Sequence, residues 1–144
     1  MSKCPFCAAS IIEISFVESR HFCAIVNIAP ILPGHSLIIP KRHVKSLLAL
    51  DDHEVAEMVS LSRKAISLLM HEFKSEGFDW TIQEGEAAGQ SVPHLHLHLI
   101  PRKHGDLPNA GDWYPRLIDN RDRPRLSHSE MKRIAQRLQS TRHE

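Results

Sequence analysis

The period of the apolar positions changes along the chain, and each change marks an element. Ile11 to Val17 is apolar and β-rich, Glu18-Ser19-Arg20-His21 reads as a turn, and Phe22-Cys23-Ala24-Ile25-Val26-Asn27 is a second apolar run. Two such runs about a short polar turn predict a β-hairpin. Pro30-Ile31-Leu32-Pro33-Gly34 predicts a rigid turn. His35-Ser36-Leu37-Ile38-Ile39-Pro40 follows as a third strand, with Lys41-Arg42-His43 as its polar exit. From Asp51 the spacing becomes helical: Val55, Met58, Val59, Ser62, Ile66, Leu69, Met70 and Phe73 recur at three- and four-residue steps, a stripe about six turns long. Asp51 and Glu54 have the spacing of a capping box, and Gly77 supplies the stop. Phe78 to Glu84 returns to strand.

Strict alternation then sets in. Ser91-Val92-Pro93-His94-Leu95-His96-Leu97-His98-Leu99-Ile100-Pro101 interleaves three histidines with leucines. On a strand, His94, His96 and His98 share one face and Leu95, Leu97 and Leu99 the other, with same-face neighbours about 6.6 Å apart. The leucine face reads as core, so the histidine face lines water, a metal or a ligand. The preceding loop, Glu84 to Gln90, is rich in small residues, and its glycines let backbone N–H groups approach an anion. After Pro101-Arg102-Lys103-His104-Gly105-Asp106, the stretch from Leu107 to Arg125 reads as an ordered loop or arm. Ser127 and Glu130 form a second capping box, and Met131, Ile134, Ala135 and Leu138 make the apolar face of a terminal helix. The expected class is α+β: one domain over residues 1–144, with a core at about 4–106 and a C-terminal arm and helix over 107–144.

Composition narrows the function classes. The chain has 144 residues, 42% hydrophobic and 24% charged, with a net charge of +1. That balance gives no overall field for nucleic acid. No apolar run reaches the roughly 18–20 residues of a spanning helix. Met1-Ser2-Lys3-Cys4-Pro5 lacks an apolar signal segment, and three cysteines argue against a fully paired disulfide framework. The expectation is a cytoplasmic protein without nucleic-acid or membrane partners. From Trp113 onward eight Lys or Arg face four Asp or Glu. This basic tail reads as a solvated face, or as a guide for a polyanionic substrate.

Two constellations carry chemistry. Cys4-Pro5-Phe6-Cys7 is half a metal site or a redox pair, unless its thiols are merely packed. The alternating histidines suit nucleophilic catalysis, proton transfer or metal binding near neutral pH. Three ligands spaced about 6.6 Å apart on one strand do not all reach one zinc at about 2.1 Å, which disfavours a three-histidine metal centre.

His94-Leu95-His96-Leu97-His98-Leu99-Ile100, with Gly89-Gln90-Ser91-Val92 before it and Pro33-Gly34-His35-Ser36-Leu37-Ile38-Ile39-Pro40 upstream, resembles the histidine triad superfamily. Gln83 and Pro101-Arg102-Lys103 are more similar to its fragile-histidine-triad branch, the dinucleoside polyphosphate hydrolases. The resemblance implies a five-stranded antiparallel sheet with two helices and a homodimer whose sheets join. It implies a nucleotide substrate, diadenosine polyphosphate or a related conjugate, cleaved at the α-phosphorus through a covalent nucleotidyl-histidine on His96. His98 then donates to a phosphoryl oxygen, and Gln83, Gln90 and Ser91 donate to the same phosphate. His35 supports the triad, or is a satisfied core histidine. Asn27 holds the ribose hydroxyls, and Ile25 and Leu37 sandwich the base unless they are plain core. Zinc-containing relatives imply a structural zinc on Cys4, Cys7, His43 and His94, and Mg2+ is expected only with the substrate. The rival activities are a purine nucleoside phosphoramidase and a non-catalytic nucleotide-binding protein.

Overall fold

The sheet is antiparallel throughout, in the order β1-β2-β3-β5-β4, with β1 Ser15–Glu18, β2 Phe22–Val26, β3 Ser36–Pro40, β4 Gly77–Thr81 and β5 Leu97–Arg102. The long helix α1 (Asp52–Phe73) packs on the sheet, a short α2 (Trp113–Ile118) lies in the arm, and α3 (His128–Thr141) packs against α1 and β1. This α+β arrangement matches the expected class. The computed structural model describes residues 4–119 and 121–141; Met1-Ser2-Lys3 and the tail charges Arg142 and Glu144 lie outside them. Among the described residues no helix is long and apolar enough to cross a membrane.

Local chemistry accounts for the element ends. Asp51 accepts the Glu54 N–H at 2.8 Å while Glu54 accepts the Asp51 N–H at 3.0 Å, so the box that opens α1 is complete. Ser127 and Glu130 do the same for α3, at 3.1 and 2.8 Å. The β1–β2 turn is held by Glu57 of α1, whose carboxylate accepts from Ser19 Oγ, the His21 N–H and His21 Nδ1. At Gly34 a positive φ of 90° and a close approach coincide. A Cβ there would lie 2.8 Å from the Phe73 ring and 2.9 Å from Pro101.

Several expected boundaries move. The first strand begins at Ser15; Ala9–Ile14 winds into 3-10 turns instead. Gly77 does not stop α1. The helix ends because Lys74 turns left-handed at φ 52°, and Gly77 already pairs with Arg102 as the first residue of β4. That strand ends at Thr81 rather than Glu84. The buried stripe of α1 is Met58, Leu61, Ser62, Ala65, Leu68 and Leu69, whereas Val59 is 39% exposed. Apolar residues occupy more than one side of this helix, so spacing alone left its rotation open. Ala65, with no exposed surface, sits at the centre of the stripe where a small side chain admits close approach to the sheet. Only His98 lies within β5. His94 and His96 belong to the bend leading into it, where the Leu95 N–H bonds to Val44 O at 2.6 Å rather than to the sheet. Leu95, Leu97 and Leu99 are nonetheless fully buried.

Register positions the site. Ile25 pairs with Leu37, Leu37 with His98 and His98 with Thr81, a single row across β2, β3, β5 and β4. Directly paired residues share a face, so His98 is flanked by aliphatic side chains on one side and by a hydroxyl on the other.

Candidate active site

A cavity of about 440 Å³ opens over that row. Its walls include every residue expected to touch a substrate: Ile25, Asn27, Leu37, Gln83, Gln90, Ser91, His96 and His98. His35 stands behind His98 with no exposed surface, and His94 turns to a different set of partners.

Hydrogen bonds assign the tautomers one after another. His35 Nδ1 accepts the Ile31 N–H at 3.1 Å, so in the neutral ring Nε2 carries the proton. That proton is donated to His98 Nδ1 at 3.0 Å, which leaves the His98 N–H on Nε2. His96 Nδ1 donates to the His94 carbonyl at 2.7 Å, and its Nε2 keeps a lone pair. His94 Nε2 donates to Pro40 O at 3.1 Å, which frees the lone pair of its Nδ1. The rings of His96 and His98 are adjacent, with centroids 5.1 Å apart. Asn27 is held by its Oδ1, which accepts the Ala29 N–H at 3.1 Å; its Nδ2 lies 3.1 Å from His35 Nε2, where both nitrogens carry hydrogen and make no bond to each other.

Electrostatics keep this chain of imidazoles neutral. Burial, and then the nearby Arg123 and His96 charges, hold His35 down at about 3. Burial holds His98 well below its usual value, reinforced by His35, His96 and Arg123. His96 is also lowered by burial, against the opposing pull of the His94 carbonyl. A neutral imidazole with one lone pair facing a cavity is a nucleophile, and a neighbouring ring N–H is a donor for developing negative charge.

The amides differ in readiness. Gln90 Oε1 accepts the Gly85 N–H at 2.7 Å and Nε2 donates to Val92 O at 3.0 Å, so the side chain staples its own loop and retains one N–H for a ligand. Gln83 Nε2 donates to Thr81 Oγ1 at 2.8 Å, leaving a buried Oε1 without a partner. The Thr81 hydroxyl both donates and accepts. Turning the Gln83 amide over therefore satisfies its oxygen and frees its NH2 to donate to an anion.

A second cluster adjoins the cavity. Cys4, Cys7, His43 and His94 bring four ligand atoms within 4.8 Å of one another. His94 Nδ1 lies 3.3 Å from Cys4 Sγ, 3.5 Å from Cys7 Sγ and 3.1 Å from His43 Nδ1, and Cys7 Sγ lies 3.2 Å from His43 Nδ1. These four residues, drawn from three separate segments, are placed to hold a metal ion. Cys23, by contrast, is buried in the core.

Sequence reasoning missed two wall residues of consequence. Phe6, between the paired cysteines, packs edge-on against His94 and His96 with centroids 5.6 and 5.2 Å away. Arg123 reaches the cavity from the arm. The only signals were an aromatic inside Cys4–Cys7 and a basic tail.

Known proteins are similar to this chain. The chain is 36% identical over 126 residues to a bis(5'-adenosyl)-triphosphatase of Dictyostelium discoideum, covering 88% of this chain and 83% of that one. It is 38% identical over 105 residues to an asymmetrical bis(5'-nucleosyl)-tetraphosphatase of Schizosaccharomyces pombe, covering 73% of this chain and 58% of that longer protein. A zinc-bound histidine triad family protein from Mycobacterium smegmatis superposes with a TM-score of 0.72 at 29% identity, covering 98% and 94% of the two chains. With a sequence model of the HIT domain matching residues 10–105, the chain belongs to the HIT family.

Proposed function

We propose that this chain is a nucleotidyl hydrolase that cleaves diadenosine polyphosphates at the α-phosphorus through a covalent intermediate on His96. The observation that carries the reading is the 2.7 Å bond from His96 Nδ1 to the His94 carbonyl, which leaves Nε2 unprotonated beside His98. The names of the relatives support the substrate class.

In this reading His96 Nε2 attacks the α-phosphorus. An N–P bond forms, the bond to the bridging oxygen breaks, and its electron pair leaves with the departing nucleoside phosphate. The nucleotidylated ring now carries positive charge, and the His94 carbonyl against Nδ1–H stabilises it. His98 Nε2–H and the freed NH2 of Gln83 donate to the phosphoryl oxygens, with Ser91 at the cavity wall. Water then displaces His96, and the nucleoside monophosphate leaves. Asn27 holds the ribose, and Ile25 and Leu37 flank the base. Mg2+ enters only as the counter-ion of the polyphosphate.

The cluster of Cys4, Cys7, His43 and His94 suits zinc. A tetrahedron with nitrogen at about 2.05 Å and sulfur at about 2.3 Å has N–N edges of about 3.3 Å and N–S edges of about 3.5 Å, close to the separations above. Four protein ligands leave no open position, so the metal is structural. The same reading takes the protein as cytoplasmic, where free thiols persist, and as a homodimer joined at the β4 edge, where Phe78 and Trp80 are exposed. Cell fractionation and sedimentation check these two points.

The deciding experiment incubates the protein with diadenosine triphosphate, quenches early and reads intact mass beside His96→Asn. An adenylate adduct with AMP and ADP released, both absent from the variant, is expected. Turnover retained by His96→Asn sinks the nucleophile. No turnover by the wild type, with cleavage of an adenosine phosphoramidate, moves the protein to the phosphoramidase activity.

A further inference from the structure

The arm after β5 is tied down on both sides of Arg123. Ile118, at the end of α2, lies on Gly89 so closely that a Cβ there would come within 2.4 Å of its Cγ2, and Gly89 has a φ of +91°. Leu117 beside it lines the cavity. On the other side the Leu126 N–H bonds to Ile28 O at 2.7 Å, one residue beyond Asn27. The arm is thus a strap from the Gly89 loop to the end of β2, and Arg123 hangs from it into the cavity.

That guanidinium is unusual in its surroundings. Its Nε and Nη1 are buried with no hydrogen-bond partner among the described residues. The cavity wall holds Arg123, Arg125 and three histidines, and among the described residues it contains no Asp or Glu. Arg123 lines the same cavity as His96 and His98. A guanidinium stays charged, and a buried donor without a partner is costly unless something accepts from it. An anion held in the cavity beside His96 and His98 would give this guanidinium an acceptor.

We propose that the arm is a phosphate clamp, in which the Arg123 guanidinium binds the phosphates of a nucleotide held against His96 and His98. The proposal rests on the nucleotide reading of the cavity and extends it to a residue outside the 10–105 match that defines the family. It also gives part of the basic tail a role: among the described residues most of its charges are solvated, while Arg123 and Arg125 line the cavity.

The test compares the binding of AMP and adenosine by calorimetry in the wild type, Arg123→Gln and Arg123→Lys. Losing a charged hydrogen-bonding group is expected to weaken AMP by about tenfold or more, with adenosine unchanged within about twofold. Arg123→Lys keeps the charge without the fork and retains an intermediate preference for AMP. Should Arg123→Gln fail to fold, the AMP-to-adenosine ratio of Arg123→Lys against the wild type decides. Equal weakening of both ligands makes the arm a structural strap and overturns the clamp, as does no weakening of AMP. A wild type that prefers AMP yet leaves diadenosine triphosphate intact removes the hydrolase while keeping the clamp.

Discussion

A single proton on His35 sets the tautomer of His98. Because Ile31 N–H occupies its Nδ1, the only proton of neutral His35 is the one given to His98. His35→Asn removes that donor and lets His98 take the other tautomer, with its lone pair towards the phosphate. The expected loss is on the order of 100-fold in kcat, the magnitude of a lost oxyanion donor, with KM little changed; steady-state kinetics check it. His35 also leaves a mark on stability. Its value, about 3 in the fold, lies below the usual 6.5, so between these the unfolded chain binds more protons. Stability is therefore full above pH 6.5 and falls as the pH drops from there towards 3, by up to about 1.4 kcal/mol per pH unit. Urea unfolding at pH 7.5 and pH 5 is expected to show a steeper acid loss in the wild type than in His35→Asn. Equal slopes would mean that His35 protonates freely. The triad was legible because alternation is a local pattern. Phe6 and Arg123 were not, because nothing local distinguishes an aromatic beside two cysteines, or one arginine among eight basic residues, until the fold brings them to His96 and the cavity.

At the scale of elements, the N-termini of the helices were easier to read than the faces. The caps of α1 and α3 depend on side chains three residues apart and were recoverable from Asp51/Glu54 and Ser127/Glu130. The rotation of α1 depends on which side meets the sheet, which no short stretch encodes. The stripe containing Val59 and the stripe containing Leu61 both have helical spacing, and only packing chooses between them. The choice has a measurable consequence. Leu61 is 1% exposed, so Leu61→Ala deletes buried methyl groups and leaves a cavity, a loss of about 2–5 kcal/mol. Val59→Ala, on the exposed side, is expected to stay within about 0.5 kcal/mol. Chemical denaturation of the two variants side by side reads this directly. A large loss at Val59 with a small one at Leu61 would restore the rotation that spacing suggested.

For the whole molecule, the proposed zinc ties the N-terminal segment to the strand bend that carries the chemistry. His94 takes part in three ways: Nδ1 faces Cys4, Cys7 and His43, Nε2 holds Pro40, and its carbonyl holds His96. Phe6 lies between the two thiolate positions and forms part of the cavity wall. Removing the metal is expected to loosen the Phe6 wall more than the His96 hydrogen bond, because the Pro40 carbonyl and the Leu95 N–H bond to Val44 O still hold the segment around His94. A metal present at about 100-fold its dissociation constant adds about 2.7 kcal/mol to stability, and for a chain of this length each kcal/mol moves Tm by about 2–4 °C. Thermal unfolding with a strong chelator, and of Cys7→Ser, is then expected to show a Tm lower by about 5–10 °C. Kinetics on the same samples should show KM rising more than kcat falls, because Phe6 is part of the cavity wall and supplies no group to the reacting phosphorus. Metal analysis that finds no zinc in the purified protein, with a Tm indifferent to both zinc and chelator, would remove the metal. Cys4-Pro5-Phe6-Cys7 would then hold Phe6 by packing alone. A kcat that collapses while KM stays fixed would instead mean that the metal acts on His96 through the His94 carbonyl, placing the two clusters in one electrostatic unit.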